Sequence, residues 1–192
     1  MRPEAELIQG IRRRDERIFE EFVRRYQQVI YFTSLRMLNT HEEALDAAQE
    51  VFLKIWRSAE VPKHEGYLKS WVYRVTINAC IDRLRERRRG EGTKTLDNVI
   101  WLSIPADGLT PLQIAQQAEE FTRLRRAMDE LTQRQRSIFV LRHFQNLKLQ
   151  EIADILEIPI GTVKATLHQA LLKLRALLVG ATQEAPEARM QS

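Results

Sequence analysis

Apolar residues recur three and four apart along almost the whole chain, and one stretch interrupts them. That stretch, "GEGTKTLDNVIWLSIPADGLTP" from Gly90 to Pro111, holds Gly90, Gly92, Pro105, Gly108 and Pro111. Such residues break helices, so the chain divides into two helical blocks around a linker. Only seven Gly and six Pro occur in all 192 residues, which speaks against a loop-rich β fold. The expected class is therefore all-α: two small helical domains joined by a flexible linker. The expected limits are residues 1–92, a linker at 93–120, a second domain at 121–180 and a disordered tail at 181–192. Val99, Ile100, Trp101, Leu102 and Ile104 make the linker less polar than most, which suits a strand of chain laid on a neighbouring surface.

In the first block, Leu7, Ile8 and Ile11 begin an apolar face that Phe19, Phe22, Tyr26 and Ile30 continue. Asp15 is placed to cap a second helix, and Asn39 or Thr40 a third running to about Ser58. A loop with Pro62 and Gly66 follows, and the next helix runs from about Lys69 to Gly90. In the second block Thr132 is the expected cap of a helix reading "QRQRSIFVLRHFQ", and the last helix spans Gly161 to about Val179.

The last two helices carry a spacing with mechanical meaning. Ala153 is small enough for close packing, Glu157 falls in a turn four residues on, and β-branched Val163 packs the next helix back. That is the spacing of a helix-turn-helix; an ordinary helical hairpin is the other reading. The turn position favours a left-handed backbone, where a non-Gly residue costs roughly 1 kcal/mol. With Val163, Leu167, Ala170, Leu171 and Leu174 turned inward, the open face carries Thr162, Lys164, Ala165, Thr166, His168 and Gln169. Gln can pair with adenine, Ala or Thr can touch a thymine methyl, and Lys and His can meet phosphate.

Charge adds to this. The chain is net +4, with 30 basic and 26 acidic residues, a balance that suits a nucleic-acid partner without requiring one. Arg83, Arg85, Arg87, Arg88 and Arg89 crowd one helix end, more than a helix C-terminus needs for its own dipole. Lys63, His64, Tyr67 and Lys69 precede that helix and offer charge and stacking for single-stranded DNA. Glu42, Glu43, Asp46 and Glu50 form an acidic face, either simply solvated or made for a basic partner. Four scattered His and one Cys show no metal-ligand spacing, and no nucleophile–base pair or phosphate loop is visible. Neither a cofactor, a metal nor catalysis is expected. The charged N-terminus and lack of a long apolar run point to the cytoplasm, without membrane insertion.

Four segments, in order, resemble the extracytoplasmic-function (ECF) sigma factors of bacterial RNA polymerase. "EEALDAAQEVFLKIW" is similar to the family's polymerase-binding helix, which implies that Asp46, Gln49, Glu50 and Phe52 dock core polymerase. "FEEFVRRYQQVIYFTSLRML" resembles the opening helix of the same domain. "SWVYRVTINACIDRLRERRR" resembles the helix that grips the downstream promoter element, with Trp71, Arg74, Asn78, Asp82 and Arg85 in place; Arg83 and Arg88 of its basic end are expected to join the contact, and Asp82 to pair with the Arg around it. The preceding loop, with Lys63, His64, Tyr67 and Lys69, would capture a base from the opened strand. "EIADILEIPIGTVKATLHQALLKLR" resembles the domain that reads the upstream element. There the family has a Ser and two Arg where this chain has Ala165, Thr166 and Gln169, so upstream contact is expected to be weaker or altered. The implied partners are core RNA polymerase, promoter DNA and an anti-sigma protein, for which Leu172 offers an apolar contact. The competing readings are a free-standing helix-turn-helix regulator, which would bind DNA tightly without polymerase, and a helical adaptor, which would leave the Arg-rich end unexplained.

Overall fold

A computed structural model describes residues 2–58, 60–90 and 111–183. The interior of the expected linker (91–110) and the end of the expected tail (184–192) lie outside the described residues. Eight α-helices are present among those described: α1 (Glu4–Arg13), α2 (Glu16–Leu38), α3 (His41–Arg57), α4 (Leu68–Arg88), α5 (Pro111–Asp129), α6 (Gln133–Phe139), α7 (Leu149–Leu156) and α8 (Ile160–Gln183). The all-α expectation holds.

Most helix ends follow from local chemistry. Arg14 turns left-handed (φ 54°) to close α1, and the Asp15 carboxylate then accepts from the Arg17 and Ile18 amides to start α2. Asn39 (φ 67°) closes α2. Thr40 takes the cap position of α3, yet its hydroxyl donates to Glu43 at 2.7 Å and accepts from no helix amide. Thr132 and Gln135 cap α6 reciprocally.

Three expectations need correction. The helix expected through "VLRHFQ" widens at Val140–Phe144 into a π turn, in which the Gln145 amide reaches back to the Val140 carbonyl at 3.1 Å. α5 starts at Pro111, beside Leu112 where the sequence's helical pattern resumes, so only the expected linker limit at 120 falls too late; Pro suits a first helical position because its missing N–H is not needed there. α8 continues to Gln183, so the first residues of the expected tail are helical.

One core lies within the first half. Phe22, Tyr26 and Ile30 of α2 meet Val51 and Ile55 of α3, Leu68, Trp71 and Val72 of α4, and Leu7, Ile8 and Ile11 of α1. The other crosses between the halves, joining Met37, Leu38, Tyr73, Ile77 and Cys80 to Met128, Ile138, Leu141, Ile152, Val163 and Leu174. The two units expected from the sequence are thus packed together, α4 lying against α6 and α7.

Polar bonds fix that junction. Arg136, only 3% exposed, donates to the Met37 carbonyl across the halves (2.7 Å), to the Met128 carbonyl (3.0 Å) and to Asp129 (2.8 Å). A buried guanidinium needs such full pairing. The Tyr73 hydroxyl donates to the Gln145 side chain at 3.1 Å. Burial, with a smaller contribution from Glu151, pushes the Tyr73 phenol up to about 12, so it stays a donor.

Candidate nucleic-acid interface

The loop from Ser58 to Tyr67 and the first turns of α4 enclose a cleft of about 550 Å³, lined among others by Lys54, Pro62, Tyr67, Trp71, Arg74 and Asn78. Tyr67 sits at its rim, 63% exposed, with the His64 ring at a centroid distance of 6.4 Å. Trp71 is buried and gives the cleft a rigid wall. Asn78, which lines it, is exposed, and so are Lys63, His64 and Lys69, which are not among its lining residues. Lys69 also lies over the Tyr73 ring, 6.0 Å from its centroid. Arg74 pairs through Nη1 with Glu157 of the other half, and its buried Nε has no hydrogen-bond partner. The sequence brings this about by placing Tyr67, Trp71, Arg74 and Asn78 at three- and four-residue steps, one face of a helix and its lead-in.

The Arg-rich end of α4 divides in two. Arg83 and Arg87, four apart, turn toward α3. Arg83 pairs with Asp46 at 3.6 Å and Glu50 at 3.4 Å, while Arg87 Nε donates to Glu43 at 3.1 Å and Nη2 to the Leu38 carbonyl at 3.0 Å. Burial lowers the Arg87 pKa, chiefly by desolvation. Arg83 thus has its charge engaged by α3, with its side chain part-exposed. Arg85, Arg88 and Arg89 remain exposed. Asp82 pairs with Arg85 at 3.4 Å and lies 3.9 Å from Lys54.

On α3, Asp46 and Gln49 are exposed and Glu50 is half-buried, held by Arg83 and by Lys54 at 2.7 Å. Phe52 is partly buried, its ring edge-on to Phe19 and Phe22. The exposed apolar residues beside Gln49 are Leu45 and Leu53, which sequence reasoning missed. Their signal was available: they lie one turn before and after Gln49, off the stripe of Ala44, Ala48, Val51 and Ile55.

The helix-turn-helix is present in α7 and α8. Glu157 adopts the expected left-handed conformation (φ 54°), Ala153 and Val163 are buried, and the Ile158 amide bonds the Ala153 carbonyl at 3.1 Å. Lys164, Ala165, His168 and Gln169 are exposed, with Thr162 and Thr166 half-exposed on the flanks. Leu171, expected inside, is 40% exposed; Ala170 and Leu174 hold the inner stripe. Among the described residues, no cluster of His, Cys, Asp and Glu is placed to hold a metal, and no helix is long and apolar enough to cross a membrane.

This geometry coincides with two family models. Residues 22–90 match Sigma-70 region 2, and residues 121–174 match Sigma-70, region 4. Over 176 residues the chain is 30% identical to the ECF RNA polymerase sigma factor SigW of Bacillus subtilis, covering 89% of this chain and 94% of that protein. The chain belongs to the ECF sigma factors. As such it binds core RNA polymerase and directs promoter-specific initiation of transcription, without catalytic chemistry of its own. The fold of this sigma factor is shared with CnrH, solved in complex with the cytosolic domain of CnrY (TM-score 0.63, 18% identity, 93% of this chain and 99% of that one). It is shared also with the sigma factor RpoE of Bartonella quintana, solved with the anti-sigma factor NepR (TM-score 0.63, 21% identity, 83% and 96%).

Proposed function

We propose that the two halves of this sigma factor divide promoter recognition by chemistry. The cleft beside α4 captures an unstacked base of the downstream element. Tyr67 supplies a stacking surface, Arg74 and Asn78 supply hydrogen bonds, and Lys63, His64, Lys69, Arg85 and Arg88 hold the strand by its phosphates. Base capture compensates for lost pairing, so strand opening needs no ATP. The open face of α8 lies in the major groove of the upstream element, with Lys164 and His168 on phosphate and Gln169, Ala165, Thr162 and Thr166 at base edges. The exposed face of α3 docks core polymerase through Asp46, Gln49, Leu45 and Leu53, with Glu50 and Arg83 framing it and Phe52 holding the helix in place. The functional units correspond to residues 1–92 and 121–180, α5 extending the second toward Pro111.

The observation that carries this reading is the cleft itself, a concave site with an aromatic rim and a guanidinium Nε without a partner. It is tested with two variants. Asp46→Arg with Gln49→Ala should abolish binding to sigma-free core while the circular dichroism spectrum stays unchanged. Asn78→Ala with Arg85→Ala should keep core affinity and lose retention of single-stranded downstream DNA. Full activity of both variants in run-off transcription overturns the site assignments. A cytoplasmic location follows from the same role, and so does an anti-sigma partner. For that partner α8 offers Leu171, Leu172, Leu177 and Val179, all exposed.

A further inference from the structure

Helix α1 lies ahead of the segment that matches region 2 and is nevertheless packed against the loop that borders the cleft. Leu7, Ile8 and Ile11 are buried in the same core as Val61, Leu68 and Trp71. Its seat on α2 is close: a Cβ at Gly10 would fall 2.3 Å from Ile18 Cγ2, so only glycine fits there. From this seat Arg12 reaches the loop. Its Nη2 donates to the Val61 carbonyl at 3.1 Å and to the Pro62 carbonyl at 2.8 Å. The other hydrogen bonds of the loop are local among the described residues: Ser58 to Ile55, Glu60 to Ser58 and Tyr67 to His64.

We infer that Arg12 is a positioning residue that sets the base-capturing loop before DNA arrives, an inference that rests on the assignment of that loop to capture. One guanidinium nitrogen on two successive carbonyls fixes the orientation of the peptide between them. The Val61 side chain is anchored below, and Pro62, with no N–H of its own and a fixed φ, carries that orientation into the cleft lining. The loop then meets the strand already ordered. Ordering it on binding would cost affinity and would cost most for the base that fits best. Arg12 itself is exposed, so its effect belongs to selectivity more than to stability.

The test uses holoenzymes assembled from core polymerase and full-length chain, probed with short single-stranded DNA randomised at every position. Arg12→Ala should reduce preference for the captured base by about three- to tenfold and speed amide exchange over residues 60–67. Core affinity should stay within about twofold of the parent. Arg12→Lys should restore part of the preference, since an ammonium reaches one carbonyl. Gly10→Ala keeps Arg12 but lifts α1, and should flatten the preference as well. Unchanged base preference and exchange in Arg12→Ala overturn the inference. Tyr67→Ala separates the two levels. If it flattens the preference and Arg12→Ala does not, only the role of Arg12 falls; if it too has no effect, base capture by this loop is refuted and the inference with it.

Discussion

α4 and α8 are the two helices assigned to DNA, and their furnishings differ. α4 presents Arg74 and Asn78 in a cleft of about 550 Å³ with an aromatic rim, and exposed Arg85 and Arg88 further along. α8 presents Lys164, Ala165, His168 and Gln169 on an open helical surface, with one Lys and no Arg among them. A base drawn from the stack needs walls, stacking and desolvated donors, and these exist only where a loop and a helix converge. A base edge in the major groove needs only a helix that fits. The second task tolerates a sparse face because phosphate contacts, not base contacts, supply most affinity, and polymerase holds the complex together. The two readers therefore fail in different ways when altered.

The largest difference is expected at the end of α4. Arg87→Ala leaves Glu43 and the Leu38 carbonyl without their partner and should cost about 2–3 kcal/mol in urea unfolding, comparable to losing a hydrogen bond to a charged group. Arg88→Ala should change stability by less than about 0.5 kcal/mol and instead weaken promoter binding. Equal stability losses for the two would erase the division of the Arg cluster. Next in size is Tyr67→Ala, which should lower single-stranded DNA affinity of the holoenzyme by about 1–3 kcal/mol, measured by anisotropy, and leave duplex upstream binding alone. An equal loss on both probes would show that the two readers are not separate. Smaller again is the effect of restoring charge to α8. Thr166→Arg with Gln169→Arg should tighten duplex binding and steepen its salt dependence by about 0.9 for each additional phosphate neutralised, read from log–log plots. No change in slope would place those positions away from the backbone. The smallest effect is expected from Glu157→Gly. It relieves roughly 1 kcal/mol of left-handed strain and removes a largely exposed pair with Arg74, worth about 0–1 kcal/mol. A near-zero net shift in Tm is the expected result, and a loss above about 2 kcal/mol would mean that the pair organises the junction.

What could be read from the sequence was what is decided within a few residues. Asp15, Thr132 and Glu157 act on neighbours two to four positions away, and all three stand where spacing placed them. The open face of α8 was legible for the same reason, apart from Leu171, which is 40% exposed while Ala170 and Leu174 on the inner stripe are buried. Pairings over distance were not legible. Nothing local says that Arg83 and Arg87 turn to α3 while Arg85 and Arg88 do not, because the helix phase is set by what packs on it. Arg74 and Glu157 are far apart in the chain, as are Arg12 and Pro62, so their contacts follow only from the assembled fold.

The shared core between the halves has a consequence for the chain as it is made. Synthesis is directional, and the first half leaves the ribosome well before Met128, Ile138 and Leu141 exist to meet Met37, Leu38 and Tyr73. Until then a nascent α2–α4 unit shows part of its apolar surface to the cell, and the Met37 carbonyl waits for the guanidinium of Arg136. A ribosome stalled just past the linker would hold a sticky, half-finished chain and a substrate for chaperones. Delivery of a working initiation factor is thus tied to translation reaching its last helix.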